Sequence, residues 1–144
     1  MCDELKILFP NLQNEGFEKT SPKTDSYNCI AWAADDDTRW WQPDPYYQYY
    51  WPIRVRNSSL QTYKQAFESL GYIECYDEAD IEPGFEKVAF YVNGFSVSHM
   101  ARQLPSGMWT SKCGALEDIT HTLNGLAGNE YGKVVLIMKR PLHL

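Results

Sequence analysis

Two tight turns between short strand-forming segments are the feature of this sequence that most constrains its fold. Residues 87–92 form an apolar run, and the Asn-Gly dipeptide at 93–94 predicts a hairpin turn into a return strand over 96–104. The Pro-Ser-Gly turn at 105–107 then leads into a third segment over 108–113. Because tight turns join antiparallel neighbours, we predict a three-stranded antiparallel meander in this part of the chain.

The start of a helix is predicted before the meander, over residues 26–34. Its alanines favour helix, and Asp25, Ser26 or Asn28 can cap its first turn. The other predictions are loop for most of 1–26, a helix over 60–70 capped by Ser58 or Ser59, a short strand over 72–75, a helix over 115–126 and a final strand over 131–138. This order predicts an α+β fold in one domain that spans residues 1–144.

The composition excludes several classes of protein. The formal net charge is −6 and Lys and Arg are not clustered, so we expect neither nucleic acid nor an anionic membrane surface as a partner. No run of 18 apolar residues is long enough to span a membrane. The first residues lack the features of a signal peptide, so we expect a cytoplasmic protein with reduced thiols. The spacing of the cysteines and histidines matches no zinc site, and we predict neither a metal nor a cofactor.

Cys29 and His99 carry the strongest signals for chemistry. Cys29 lies near a predicted helix start, where the helix dipole lowers the pKa of a thiol and favours the nucleophilic thiolate. His99 lies in a predicted strand and can act as the base. Strand alternation places Ser111 on the face of His99, one diagonal step away, so Ser111 is the predicted third member. A register slip of one residue would offer Thr110 or Lys112 instead.

Several further residues are predicted to surround this pair. Asn28 can donate a hydrogen bond to an oxyanion together with the backbone N–H of Cys29. Seven aromatic residues and three prolines at 40–52 predict an irregular loop, which either lines a substrate cleft or packs at the domain edge. His121 falls on the predicted helix over 115–126. The predicted substrate-binding residues are Asn28, Trp32, Trp40, Trp41 and Gln103, and Gln103 is also an alternative to Ser111.

Four short motifs resemble a family of small uncharacterised bacterial proteins. They begin at Tyr27, Ser98, Gly107 and Tyr131 and have the sequences YNCIAWA, SHMARQL, GMWTSK and YGKVV. The similarity covers about residues 9–141. More distantly, the order of these motifs resembles that of the papain-like cysteine hydrolases, which include the NlpC/P60 and CHAP amidases.

The distant resemblance implies a papain-like α+β fold, in which an N-terminal helix carries the cysteine and packs on an antiparallel sheet. It implies that Cys29 is the nucleophile, His99 the base and Ser111 or a neighbour the third member. We therefore expect a cysteine hydrolase of the peptidase, amidase or deamidase type, which acts on an amide, thioester or isopeptide bond of a peptide or protein. The alternative is a non-enzymatic binding or immunity-type module that uses residues 40–51 as its contact surface.

Overall fold

An antiparallel sheet dominates the computed structural model, which describes residues 4–76 and 78–142. Its strands are β1 Phe17–Lys19, β2 Ile73–Tyr76, β3 Phe85–Asn93, β4 Ser96–Gln103, β5 Trp109–Lys112, β6 Asp118–His121 and β7 Lys133–Pro141. Within the described residues these seven strands follow the order β1-β6-β5-β4-β3-β7-β2, and every neighbouring pair is antiparallel.

The predicted meander is confirmed in β3, β4 and β5. Asn93 pairs with Ser96 across the first turn, and Gly94 there has a φ of 71°, which a residue with a side chain rarely adopts. Across the second turn Arg102 pairs with Thr110. This pairing is the register that the three-residue turn at 105–107 predicts, so the side chains of β4 and β5 face each other as expected.

The prediction of a papain-like fold is wrong. The helices are α1 Glu4–Leu8, α2 Leu12–Glu15, α3 Cys29–Ala33 and α4 Leu60–Glu68, with a 3₁₀ turn at Leu123–Leu126. The helix that carries Cys29 has only five residues, because Asp35 adopts a left-handed conformation with a φ of 63° directly after the C-cap Ala34. The longest described helix, α4, has nine residues and the predicted Ser59 cap. The sheet is therefore the framework, and the described helices are short additions to it.

The prediction of a helix over 115–126 is also wrong. The segment instead contains β6 and then the 3₁₀ turn at Leu123–Leu126, and β6 pairs with β5 on one side and with β1 on the other. Ile119 and Thr120 are β-branched and favour strand, and the two ladders satisfy the backbone groups of β6. Residues 1–26 were expected to be mostly loop, and their described part contains α1, α2 and β1.

Two hydrophobic clusters pack against opposite faces of the sheet. The first contains Phe90 and Met100 together with residues of α3 and α4. The second contains Tyr91 and Ala101 together with residues of α1 and α2. Because side chains alternate along a strand, His99 points to the second face while Met100 points to the first. Helix α3 therefore lies on the face opposite to the His99 side chain.

Candidate functional site

Cys29 is the first residue of α3, and Asn28 caps this helix. The side-chain oxygen of Asn28 accepts hydrogen bonds from the backbone N–H groups of Ala31 and Trp41, and its amide nitrogen donates to the Trp41 carbonyl. These three bonds fix the start of the helix and the start of the aromatic segment against each other. The role of Asn28 as an oxyanion donor stays a prediction.

The Cys29 thiol is not activated by its position at the helix start. The residue as a whole is half-buried, yet burial of its sulfur raises the pKa of the thiol to about 11. The backbone N–H groups of Met100, Ile30 and Cys29 itself lower this pKa, but by less than burial raises it. The prediction of a lowered thiol pKa is wrong, because the dipole of a five-residue helix is outweighed by desolvation.

A chain of hydrogen bonds joins two buried histidines through Ser111. The His99 Nε2 atom lies 2.9 Å from the Ser111 hydroxyl oxygen, which lies 2.7 Å from His121 Nε2. The structure thus brings together His99 and Ser111 as the sequence predicted. Gln103, the alternative third member, instead donates to the backbone oxygen of Ala79. His121 is the functional residue that sequence reasoning missed, since its alternation with Ile119 is informative only once the segment is recognised as a strand.

The donor and acceptor of each of these hydrogen bonds follow from the Thr122 carbonyl at the end of the series. The carbonyl of Thr122 lies 2.7 Å from His121 Nδ1 and can only accept, so Nδ1 of the neutral His121 ring carries the proton. His121 Nε2 is then the acceptor of the Ser111 hydroxyl proton, and Ser111 Oγ accepts from His99 Nε2–H. The proton of the neutral His99 ring is therefore on Nε2, and Nδ1 has a free lone pair, as a general base requires.

His99 is enclosed by aromatic rings. Tyr131 stacks on the imidazole with the centroids 4.0 Å apart and 6° between the planes, and Tyr91 makes an edge contact at 5.4 Å. Burial lowers the pKa of His99 well below its usual value, and it lowers the pKa of His121 to about 4. Both imidazoles are therefore neutral at pH 7.

The Cys29 side chain contacts β4 next to His99, at a point where β4 is not paired with β5. The pairing of β4 with β5 is confined to Arg102 and Gln103, so the two strands are unpaired at Met100. The backbone N–H of Met100 donates to the Cys29 sulfur. The sulfur therefore lies beside the peptide that joins His99 to Met100. Within the described residues His99 Nδ1 has no hydrogen-bond partner, so the thiol does not bond to it in this state.

The three predicted substrate-binding tryptophans have different environments. Trp41 is buried in the first cluster and donates its indole N–H to Asp36 at 2.8 Å. Trp32 is partly buried and donates to the Thr110 hydroxyl at 3.0 Å. Trp40 is half-buried at the surface. Trp41 is thus mainly a core residue, while Trp32 and Trp40 retain some exposed area for a ligand.

The aromatic segment over 40–51 divides between core and surface. Trp41 and Trp51 are each 5% exposed. By contrast, the Tyr46 and Tyr47 side chains are 81% and 69% exposed. Four exposed rings form what we call the tyrosine surface: Tyr46, Tyr47, Tyr49 and Tyr50. Core packing therefore describes Trp41 and Trp51, and the lining of a substrate cleft by this segment stays a prediction.

The described residues offer no cluster of three or more His, Cys, Asp or Glu side chains that could hold a metal ion. Cys29, Cys75 and Cys113 are free thiols. Cys2 and His143 lie outside the described residues. None of the helices at 4–76 and 78–142 is long and apolar enough to cross a bilayer.

Comparison with known proteins gives one family and no activity. A family model described as a domain of unknown function, DUF7689, matches residues 18–139. No curated protein and no solved structure matches the chain. The expected resemblance to an uncharacterised family is confirmed, and nothing in these comparisons supports the resemblance to NlpC/P60 or CHAP amidases.

Proposed function

This chain belongs to the DUF7689 family, and we propose that it is a cysteine hydrolase that cleaves an amide or thioester bond in a peptide or protein. One observation carries the proposal: His99 Nδ1 is a buried, unpartnered base beside the peptide whose N–H contacts the Cys29 sulfur. A buried polar atom without a partner costs about 1–3 kcal/mol. The lone pair of His99 Nδ1 would be satisfied when it accepts the thiol proton during catalysis.

The proposed reaction has two halves. In the first, Cys29 Sγ attacks the substrate carbonyl carbon, and its proton moves to His99 Nδ1. The imidazolium then returns this proton to the leaving amine or thiolate, and a thioester remains on Cys29. In the second half, water gives a proton to His99 Nδ1 and attacks the thioester, which releases the acid and restores the thiol. Ser111 and His121 act as positioning residues, since they fix the proton of the resting ring on Nε2.

Proton transfer accompanies attack in this mechanism rather than preceding it. The thiol pKa of about 11 and the lowered His99 pKa both favour the neutral pair over a thiolate and an imidazolium. We therefore expect the rate of alkylation of Cys29 by iodoacetamide to rise continuously with pH from 6 to 10, as the thiolate fraction rises. A resting ion pair would instead give a plateau in this range.

The decisive experiment is acylation by p-nitrophenyl acetate, followed by mass spectrometry of the acylated peptide. We expect a burst of p-nitrophenolate and an acetyl group on Cys29. The Cys29→Ser protein should lose the burst, and His99→Gln should slow it by about a hundredfold or more, the usual contribution of a general base. Cys75→Ser and Cys113→Ser are matched controls, because both thiols are buried and free. Acylation of Cys29 by p-nitrophenyl acetate no faster than that of Cys75 and Cys113 contradicts the proposal.

The tyrosine surface supports a second candidate, a non-enzymatic module that binds a polypeptide. The guanidinium group of Arg56 lies over the Tyr47 ring, 4.2 Å from its centroid, and that of Arg39 lies over the Tyr50 ring at 3.6 Å. Exposed tyrosine is typical of binding surfaces. A library of displayed peptides should then yield peptides that bind the wild type. These peptides should still bind the Cys29→Ser protein and should no longer bind a Tyr46→Ser, Tyr47→Ser double variant. Peptides that bind the double variant as tightly as the wild type contradict this candidate, and so does a library that yields no binders.

We also propose that the protein acts in the cytoplasm. The three described cysteines are all free, and thiols stay reduced in that compartment.

A further inference from the structure

Internal hydrogen bonds fix the loop that carries the tyrosine surface. The Asp44 carboxylate accepts from the backbone N–H groups of Gln48 and Tyr49 at 2.8 and 3.2 Å. Arg56 donates to the backbone carbonyls of Asp44 and Tyr49 at 3.0 and 3.2 Å. Because the loop is already ordered, a partner can bind to it without a large loss of conformational entropy.

Tyr47 lies at a backbone position that favours glycine. Its φ is 57°, in the left-handed region where a side chain costs free energy. Burial of the ring does not offset this cost, because the side chain is largely exposed. A strained and exposed aromatic residue of this kind favours a role for its ring in contact with another molecule.

The two arginines beside the tyrosine surface are already paired, which favours a neutral partner. Arg56 lies 3.0 Å from an Asp44 carboxylate oxygen, and Arg39 lies 3.0 Å from an Asp36 carboxylate oxygen. Recognition of a phosphate or an acidic peptide relies instead on arginines that are free to pair with the ligand.

The backbone of the loop is not free to pair with an added strand. The N–H groups of five loop residues donate within the chain: Trp41, Gln42, Tyr47, Gln48 and Tyr49. The two prolines at 43 and 45 have no N–H. A partner therefore binds to the side chains of the loop rather than by extending a sheet.

A proline-rich segment matches the groups that the tyrosine surface offers. Such a segment adopts the extended polyproline II helix without pairing its backbone, and it binds to surfaces of exposed aromatic rings. Its pyrrolidine rings are apolar and neutral, and its prolines accept hydrogen bonds at their carbonyls but donate none. The exposed tyrosines supply aromatic faces for these rings and O–H donors for these carbonyls.

We propose that the tyrosine surface binds a proline-rich segment of another protein in the polyproline II conformation. Tyr46 and Tyr47 make the main contacts, since their rings are the most exposed of the four. The inference rests on the second candidate function and narrows its partner to one class. It does not involve Cys29 or His99, so it is independent of the hydrolase proposal.

Decaproline and an alternating Gly-Ser peptide of the same length, both with neutral ends, test the proposal as a pair. We expect decaproline to shift the amide NMR signals of Tyr46, Tyr47 and Tyr49 in the ¹⁵N-labelled full chain. The Gly-Ser peptide should bind at least about tenfold more weakly, because it has no apolar rings and is flexible before it binds. Equal binding of the two peptides, no binding of decaproline, or shifts confined to other regions overturns the proposal.

The Tyr46→Ser, Tyr47→Ser double variant tests the assignment to these two rings. It should bind decaproline at least about tenfold more weakly than the wild type does. Phe95→Ser is the matched control, since Phe95 is a fully exposed aromatic residue outside the tyrosine surface, and it should bind decaproline as tightly as the wild type. Equal affinity of the double variant and the wild type overturns the assignment. The comparison of the two peptides on the wild-type chain remains decisive if the double variant does not fold.

Two further outcomes separate this proposal from the second candidate function. Displayed peptides that lack proline and that bind the wild type but not the double variant would overturn the proline-rich partner and leave the second candidate in place. Cellohexaose is a neutral sugar chain that can also pack on aromatic rings. Binding of cellohexaose to the tyrosine surface in place of decaproline overturns both.

Discussion

Lowering the pH from about 6.5 to about 4 is expected to reduce the free energy of unfolding by about 3 kcal/mol through His121 alone. Its pKa falls from an ordinary value of 6.5 in the unfolded chain to about 4 in the fold, where burial disfavours the imidazolium. Between these values the unfolded chain binds more protons than the fold, so stability is present above pH 6.5 and is lost as the pH falls. The magnitude follows from about 1.4 kcal/mol per pKa unit. His99 is buried with a lowered pKa and adds a loss of the same sign.

Urea unfolding of the wild type and of His121→Gln, measured from pH 7 to pH 4, checks this expectation. Glutamine does not titrate, and it can replace both hydrogen bonds of the imidazole by accepting from Ser111 and donating to the Thr122 carbonyl. The variant should be somewhat less stable at pH 7 but should lose clearly less free energy between pH 6.5 and pH 4. Carboxylates titrate in both proteins and cancel in the comparison. Parallel pH profiles would show that His121 is not buried as a neutral ring.

The position of Ser111 was predictable because it depends on local chemistry. The Pro-Ser-Gly turn sets the register of β4 and β5, and alternation then places Ser111 on the face of His99. The resulting distance of 2.9 Å between His99 Nε2 and Ser111 Oγ needs no other part of the chain. The same reasoning covers the Ser59 cap of α4, which depends on the first turn of that helix.

His121 was not predictable in the same way, because its strand depends in part on pairing with β1, which lies far away in the sequence. The segment from 118 to 121 becomes β6 by lying between β5 and β1, and β1 itself lies in a part of the sequence with no strand pattern. Non-local pairing of this kind overrides a local helical tendency. The thiol pKa of Cys29 is a similar case, since the burial that raises it comes from tertiary packing against the first cluster rather than from its own helix.

Lys112 shows how the sequence and the structure assign different roles to one residue. The sequence offered it only as a neighbour of the catalytic triad, reached by a slip in register. In the structure its side chain is fully buried, and its ammonium group donates to the carbonyls of Thr24, Gly114 and Leu116 at 2.6–2.7 Å. It thereby joins the segment before α3 to the loop after β5, so it holds the chain that leads to Cys29.

Lys112→Met is expected to lower the free energy of unfolding by about 3–5 kcal/mol, because three partly buried hydrogen bonds from one fully buried side chain are lost at once. Lys133→Met is the matched control, since Lys133 is exposed at the start of β7 and its loss should cost less than about 0.5 kcal/mol. Urea unfolding at pH 7 measures the free energy of unfolding of both variants. A cost for Lys112→Met as small as that for Lys133→Met would mean that water replaces the ammonium group, and the three carbonyls would then not define a buried site.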